Sequence, residues 1–253
     1  MPSSDPYYGP DQAQIHHTRF GDLAADAAAL LVERLRDAGL DAHLNSCHVT
    51  DLGCGSGILA ARLSDAGYSV SGIDISPAMI DLARAHAPAG SFTVGPALDA
   101  EIPPSVGVTA TGEVLNYATD RRAGLDALAV VATRVFGALE PGGVFLLDLS
   151  TPGRNLGQNP RLVFHEHDTW TLGMRATETE LRLDRRIVIM VRDDDGRYRR
   201  VDEHHELVLY DVAEAVTILE AVGFTVETRP AYTASTASTP VSGWAVFAAT
   251  KPR

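Results

Sequence analysis

Between residues 48 and 149, short apolar runs alternate with stretches of helical periodicity, and this alternation constrains the fold most. Apolar residues that recur every three to four positions predict helices, and short apolar runs predict strands. Strands are predicted at 48–52, 69–73, 92–94, 106–111 and 144–149. Helices are predicted at 58–66, at 77–86 with Ser76 as cap, and at 125–139, after a first helix at 22–36. Such alternation builds a mainly parallel sheet with helices on both faces.

The pattern changes after residue 150. Residues 150–160 have loop chemistry, and polar and apolar residues alternate with period two from 162 to 209. Asp194-Asp195-Gly196 predicts a hairpin turn between strands at 187–192 and 198–207. A helix at 212–222 and strands at 224–228 and 243–250 then restore the earlier pattern. We therefore expect an N-terminal lid and helix (1–40), a core (41–150 and 206–253), and an antiparallel β insertion (151–205).

The composition argues against several classes of protein. The chain has 253 residues, 45% of them hydrophobic and 21% charged, which is an ordinary globular balance. We expect no membrane-spanning helix and no secretory signal, because neither type of apolar run is present. The two cysteines, Cys47 and Cys54, suggest neither a disulfide framework nor a zinc cage, so a reducing, cytoplasmic setting is expected. A net charge of −12 with few clustered cations disfavours nucleic acid as a partner.

The most informative segment is the glycine-rich stretch at residues 49–57, VTDLGCGSG, which joins a predicted strand to a predicted helix. Glycines in this context turn the backbone sharply and let a bulky cofactor approach the main chain. Asp74 ends the next strand, where a carboxylate can accept hydrogen bonds from both hydroxyls of a ribose. A plain tight turn and a helix cap would explain the same residues without a ligand.

A dinucleotide-binding loop is the main alternative for this segment. Its fingerprint requires a third small residue, and in one frame Ala60 stands at that place. Asp51, however, would repel a diphosphate, whereas it suits the cationic end of an aminoacyl sulfonium. The charge argument therefore favours S-adenosylmethionine over a nicotinamide cofactor.

Several segments together resemble the class I S-adenosylmethionine-dependent methyltransferases of small-molecule type. They are DLGCGSG with GIDIS downstream, TATGEVLNY at 109–117, LEPGGVF at 139–145, and the closing Gly223-Phe224 and WAVF segments. The resemblance covers most of residues 45–150 and 205–250. It implies a Rossmann-like, doubly wound, seven-stranded and mostly parallel sheet with a reversed last strand. It also implies S-adenosylmethionine as cofactor and methyl transfer to a small organic acceptor.

The resemblance also assigns roles around the cofactor. Asp74 would hold the ribose hydroxyls, Ile75 and Met79 would pack on the adenine, and Arg19 would bind the cofactor carboxylate in a lid. Pro96 stands where the family often has an Asp, so Leu98 or Asp99 would replace that adenine contact. The full set of expected cofactor-binding residues is Arg19, Asp51, Gly53, Gly55, Asp74, Ile75, Met79, Ala97, Leu98, Gly112 and Glu113.

Methyl transfer from a sulfonium is an in-line displacement, so positioning of the acceptor supplies much of the catalysis. A general base is needed only for an acceptor that is protonated at the working pH. The catalytic candidates are His17, Glu113 and Tyr117. Further candidate bases are His16, His165, His167, His204 and His205. His165 and His167 share a strand face, but no third ligand is placed to complete a site, and no metal is expected.

Three questions stay open at this stage. The insertion is either a roof over the acceptor or the surface of a homodimer. The enzyme could also use the same cofactor with a non-methylating outcome, such as a cyclisation that releases methylthioadenosine. A regulatory protein that binds the cofactor without turnover is the other rival. The Asn-Pro-Pro-Tyr tetrapeptide of nucleobase and protein-glutamine methyltransferases is missing, which also points to a small acceptor.

Overall fold

The computed structural model describes residues 7–19, 21–42, 47–118, 122–233 and 243–253. The helices are α1 (Pro10–Arg19), α2 (Asp22–Asp37), α3 (Ile58–Asp65), α4 (Pro77–His86), α5 (Leu125–Ala138) and α6 (Val212–Val222). The strands are β1 (His48–Leu52), β2 (Ser69–Asp74), β3 (Ser91–Val94), β4 (Ser105–Ala110), β5 (Leu139–Ser150), β6 (Arg161–His167), β7 (Trp170–Glu178), β8 (Arg182–Arg192), β9 (Tyr198–Val208), β10 (Thr225–Arg229) and β11 (Trp244–Thr250).

Seven of these strands form one sheet in the order β10-β11-β5-β4-β1-β2-β3. The strands β1 to β5 pair in parallel, and β11 runs antiparallel to both β5 and β10. Every residue of β4 is buried, as expected for a central strand covered on both faces. This architecture confirms the predicted Rossmann-like sheet with its reversed last strand.

Helices cover both faces of the seven-stranded sheet. On one face α2, α3 and α4 enclose a core that includes Leu31 and Leu35, and on the other α5 and α6 enclose Phe145 and Phe247. The helix α2 therefore packs on the sheet and is part of the core sandwich. The sequence interpretation had grouped it with the lid, because its apolar stripe does not reveal which partner it meets.

The remaining four strands form a separate antiparallel sheet in the order β6-β7-β8-β9, which we call the roof sheet. Its β8–β9 hairpin turns at Asp193–Gly196 as predicted, with Gly196 at φ 82° and its amide bonded to the Asp193 carbonyl. Asn116 ties this sheet to the core, since its side-chain amide donates to the carbonyls of Ser150 at 2.9 Å and Val208 at 2.6 Å.

The predicted boundaries agree with the structure to within one or two residues, apart from three elements. The strand β8 begins at Arg182, five residues before the predicted start at 187. The strand β5 begins at Leu139, five residues early, and its pairing with β4 shifts register between the Ser105–Leu139 and Gly107–Val144 pairs. The helix α1 was missed, since its sequence is polar and carries no apolar stripe. It packs against α4 and places Ile15 against Leu172 of the roof sheet. None of the described helices is long and apolar enough to cross a membrane.

Candidate functional site

The glycine loop (residues 53–57) follows β1 at the carboxyl edge of the sheet. Gly53 and Gly55 both have positive φ, at 69° and 51°, and the Gly53 amide donates to the Ile73 carbonyl at 2.7 Å. A Cβ at Gly53 would lie 2.3 Å from Cγ2 of Val114, so packing excludes any side chain there. A Cβ at Gly55 would meet nothing within 4 Å, so open space lies beside that residue.

Asp74 at the end of β2 faces this space. Its two carboxylate oxygens accept hydrogen bonds from the backbone amides of Gly55 at 2.9 Å and Ser76 at 2.8 Å. Burial raises the pKa of this carboxyl, and the two amide bonds oppose the rise. Each oxygen keeps a lone pair for a further donor, so the geometry suits recognition of a vicinal diol.

The pocket around Asp74, which we call the inner pocket, has a mainly apolar wall. Ile75, Met79, Ala97 and Leu98 form part of that wall, together with Pro96. The Asp99 carboxylate instead forms a bidentate ion pair with Arg122, with both distances 2.9 Å. From the sequence, Leu98 or Asp99 is expected in place of the Asp that the resembled family often has at position 96. Of these two residues, Leu98 lines the inner pocket. An apolar slot that ends at a carboxylate matches the two parts of a nucleoside.

Asp51 lies beneath the glycine loop and is 1% exposed. It accepts a hydrogen bond from Oγ1 of Thr109 at 2.6 Å. Burial raises the pKa of its carboxyl to about 7. A cationic group placed above the loop would favour the ionised form of this side chain.

The turn after β4 is held by a buried carboxylate that the sequence interpretation did not single out. Asp148, 0% exposed, accepts from the amides of Gly112 and Glu113, both at 2.7 Å, and from the Tyr232 hydroxyl at 2.5 Å. Gly112 and Glu113 take positive φ values of 87° and 64°. The one available signal was an acidic residue inside the apolar strand FLLDLS. The contacts of Asp148 direct the turn toward the inner pocket. A Cβ at Gly112 would meet nothing within 4 Å there.

Glu113 is the centre of a buried ion-pair network. Its carboxylate accepts from Nη1 and Nη2 of Arg185 at 2.5 and 2.8 Å, from Nε of Arg154 at 2.9 Å, and from the Ser150 hydroxyl. The two guanidinium groups hold its pKa well below the usual range despite burial. A carboxylate held in this way is a poor proton acceptor, so the predicted role of Glu113 as a base is corrected to a structural link between core and roof.

Tyrosines and histidines form a cluster between the two sheets. The hydroxyls of Tyr8 and Tyr117 are 3.0 Å apart, and Tyr8 packs edge-on against His16 and tilted against His205. Burial raises the pKa of Tyr8 to about 12 and that of Tyr117 well above its usual value. Both phenols are therefore neutral at physiological pH, and the catalytic role of Tyr117 stays a prediction.

The structure separates the two adjacent histidines of α1. His17 contacts Oγ of Ser56 through its Nδ1 at 2.9 Å and packs against His86. It lines neither the inner pocket nor the second cavity of the site, which is described next. His16 lines both, and burial lowers its pKa to about 4. Of this pair, His16 and not the predicted His17 faces the site, because the helical rotation between neighbours is about 100°.

A second cavity of about 610 Å³, which we call the cleft, lies between the glycine loop and the roof sheet. It meets the inner pocket at Gly53, Gly55, Gly112 and Tyr117, which line both. Its volume suits a small organic molecule. The residues that form its roof are Val163, Leu172, Met174, Ala176, Leu183, Arg185 and Ile187.

Arg19 also lines the cleft and lies over the Trp170 ring, 5.9 Å from its centroid. Phe20, the residue after Arg19 and a further candidate for the lid together with His17, is outside the described residues. All eleven predicted cofactor-binding residues therefore line the inner pocket or the cleft. Whether each contacts a cofactor stays a prediction.

The remaining histidines divide between the two faces of the roof sheet. His165 lines the cleft, and His167 stacks on Trp170. His205 is buried and contacts Glu203 at 2.8 Å, whereas His204 is exposed, as their alternation predicts. Side chains of metal-ligand type at Asp184, His204 and Glu206 come together on the outer face, away from the cleft.

Comparison with known proteins agrees with this geometry. Residues 49–143 match the family model of a methyltransferase domain. The trans-aconitate 2-methyltransferase of Methylobacterium radiotolerans is 34% identical over 137 residues, which cover 53% of this chain and 47% of that enzyme. This match therefore spans about half of each protein.

Two solved structures have the same fold over nearly the whole chain. An S-adenosylmethionine-dependent methyltransferase from Clostridium acetobutylicum superposes with a TM-score of 0.80 at 17% identity, covering 96% of this chain and 98% of that one. An amino pentose methyltransferase from Micromonospora echinaspora, solved with S-adenosylmethionine bound, has a TM-score of 0.70 at 20% identity and covers 98% and 99%. At these identities the likeness establishes the fold.

Proposed function

We propose that the chain is a class I S-adenosylmethionine-dependent methyltransferase, and that it methylates a small organic acceptor bound beneath the roof sheet. The observation that carries this proposal is the junction of two cavities. The inner pocket offers Asp74 and open space beside Gly55, and the cleft opens from it at Gly112 and Tyr117. A donor in the first and an acceptor in the second would meet at that junction.

The residues around the inner pocket fit the cofactor. Asp74 would accept hydrogen bonds from the ribose hydroxyls, while Ile75 and Leu98 would pack on the adenine. Gly53 and Gly55 would let the chain approach the aminoacyl arm, and Asp51 lies on the side where its cationic end would be. The cofactor supplies an electrophilic methyl group on a sulfonium.

The protein's own contribution is mainly positioning and exclusion of water. Tyr8 and Tyr117 are neutral and buried at the junction, and the hydroxyl that does not donate to the other can orient an acceptor oxygen or nitrogen without removing a proton. His16 has a depressed pKa and is uncharged at neutral pH. In-line placement of the acceptor can by itself lower the barrier by several kcal/mol, on the order of 7.

The relatives' names support a small acceptor. One is named for trans-aconitate and another for an amino pentose, and both molecules are small. The roof sheet closes the cleft over a volume of that order, which favours the roof interpretation of the insertion over a dimer surface.

The first experiment is calorimetric binding of S-adenosylmethionine, S-adenosylhomocysteine and NADH. We expect the first two to bind and NADH not to bind. Asp74→Asn should weaken the first two about tenfold or more, since a lost hydrogen bond to a charged group costs about 1.5–3 kcal/mol. Asp81→Asn, an exposed change on the neighbouring helix α4, is the control and should bind normally. Binding of NADH alone would overturn the proposal.

The products distinguish the rival outcomes. Mass spectrometry of reactions with candidate acceptors should find S-adenosylhomocysteine and an acceptor heavier by one methylene unit. Methylthioadenosine as the product would support the cyclising alternative instead. Cofactor binding without any product from a broad acceptor panel would support the regulatory alternative.

A further inference from the structure

A line of residues crosses the inner face of the roof sheet directly above the cleft. Cα pairing places Arg161 beside Ala176, Ala176 beside Arg185, and Arg185 beside His205, on four successive strands. We call these four residues the inner row, and all of them line the cleft. We propose that Arg161 of the inner row, with Arg154, binds a carboxylate of the acceptor, so that the methyl acceptor is a small carboxylic acid. This inference rests on the proposed function.

The spacing in the inner row leaves room for an anion. Neighbouring strands are about 4.8 Å apart, so Arg161 and Arg185 stand roughly 10 Å apart at the backbone. Ala176 between them has the smallest side chain that still covers the sheet, and it is 2% exposed. The small side chain of Ala176 therefore leaves lateral room beside Arg161, whose guanidinium can bind a planar carboxylate.

Protein partners within the described residues do not occupy every guanidinium nitrogen of the cleft arginines. Glu113 takes both Nη atoms of Arg185, but it takes only Nε of Arg154, whose guanidinium lies over the Trp244 ring at 4.9 Å. Among the residues that the structure describes, no partner takes the terminal nitrogens of Arg154, which can therefore bind a ligand. No ion pair joins Arg161 to an acid within the part of the chain that the structure describes.

The charge of the cleft is opposite to that of the molecule. The chain carries a net −12, yet the cleft is lined by four arginines, Arg19, Arg154, Arg161 and Arg185. Its acids are Asp22, Asp51 and Glu113. Of these, Asp22 is exposed at the start of α2, and burial raises the pKa of Asp51 to about 7. Guanidinium groups in a partly buried cleft attract carboxylates and repel protonated amines.

Three apolar side chains of one row next to the inner row define the rest of the acceptor. Val163, Met174 and Ile187 pair across β6, β7 and β8 and line the same cleft, while Glu203, the fourth member of this row, does not line it. A carboxylate bound at the inner row would place an uncharged or apolar part of the acceptor against these side chains. The expected acceptor is therefore a small acid with a carbon skeleton, bound by its charge at one end.

The test uses calorimetry on the full chain with saturating S-adenosylhomocysteine. The probes are glutarate, tricarballylate and benzoate, with 1,5-diaminopentane as the cationic counterpart. We expect at least one carboxylate to bind wild type, with the diamine silent, and Arg161→Gln to weaken that carboxylate about tenfold. Arg175→Gln is the matched control, because Arg175 lies on the opposite, exposed face of the roof sheet and should leave the affinity unchanged.

Several outcomes would overturn the inference. They are binding of the diamine without the carboxylates, no binding of any carboxylate, and equal carboxylate affinity in wild type and Arg161→Gln. S-adenosylhomocysteine affinity, measured on each variant in the same series, separates the two proposals. If that ligand fails to bind wild type, the proposed function fails, whereas carboxylate binding that depends on Arg161 would still establish an anion site.

Discussion

At the scale of single residues, two glycines of one loop have different physical reasons to be glycine. Both have positive φ, which side chains rarely adopt. Gly53 is also packed against Val114, whereas the space beside Gly55 is open. Gly53 is therefore required for packing, whereas Gly55 leaves space that a ligand can occupy.

Alanine at each position should separate these roles. Gly53→Ala should lower the free energy of unfolding by about 3 kcal/mol, because strain and a clash combine. Gly55→Ala should cost about 1 kcal/mol of strain, yet weaken S-adenosylhomocysteine about tenfold by filling the open space. Urea unfolding and calorimetry measure the two effects. Equal losses of stability in the two variants would contradict this assignment.

Asp51 should make stability depend on pH in a direction opposite to a typical carboxylate. Its folded pKa of about 7 exceeds the unfolded value of 3.8, so the folded state binds the proton more tightly. The resulting stabilisation is fully present below pH 3.8 and is lost as pH rises toward 7. Between pH 5 and 6.5 the contribution falls by up to about 1.4 kcal/mol per pH unit.

Asp51→Asn removes this titration while keeping an oxygen for the Thr109 hydroxyl. The slope of unfolding free energy against pH should therefore become more positive by up to about 1.4 kcal/mol per unit over that window. Asp81→Asn, an exposed change, should leave the slope unchanged. Chemical unfolding at four pH values measures it, and parallel curves for wild type and Asp51→Asn would refute the prediction.

At the scale of elements, the segment before and within α1 connects the core to the roof sheet. The carbonyl of Tyr8 accepts from Oγ of Ser76 at 2.7 Å, on the core side. The amides of Tyr8 and Gly9 donate to the Glu203 carboxylate of β9 at 2.9 and 2.8 Å. One carboxylate therefore holds the N-terminal segment over the cleft.

Glu203→Gln should loosen this segment. An amide offers one accepting oxygen, so at least one of the two backbone donors loses its charged partner. Hydrogen exchange of residues 8–19 should become faster by about tenfold, since the lost bond costs about 1.5–3 kcal/mol. Glu166→Gln, on the exposed face of β6, should leave exchange in this segment unchanged. Faster exchange across the whole chain would instead indicate global destabilisation.

At the scale of the whole molecule, a buried ion pair joins the two sheets. Arg185 of β8 and Glu113 after β4 have side chains that are 13% and 7% exposed. Removing one partner of a buried pair leaves a desolvated charge behind, which costs more than the pair itself contributes.

Arg185→Met should therefore destabilise the protein by about 3 kcal/mol in urea unfolding. Arg186→Met is the matched control, because Arg186 is the next residue on β8 and faces solvent. Its Nε lies 3.7 Å from Oδ1 of Asp184. An exposed pair of this kind contributes about 0–1 kcal/mol. Similar losses for the two variants would mean that the link between the sheets is not electrostatic.

Local signals in the sequence were sufficient for most of the fold. Hydrophobic period separates helix from strand, and the Ser76 cap and the turn at residues 193–196 depend on side chains a few residues away. The glycine loop and Asp74 were found for the same reason, because a strand, a tight turn and the next strand end are short-range features. The polar helix α1 was missed because tertiary contacts rather than its own pattern stabilise it.

Only the tertiary structure decided what the acidic and basic residues do. Glu113 meets Ser150, Arg154 and Arg185 across 37, 41 and 72 positions of chain, and no local pattern encodes such pairs. The register of three strand pairs sets the inner row. The sequence by itself therefore determined the cofactor edge of the sheet, whose geometry is local. Long-range packing determined the acceptor side, because its charges come from strands that meet only after folding.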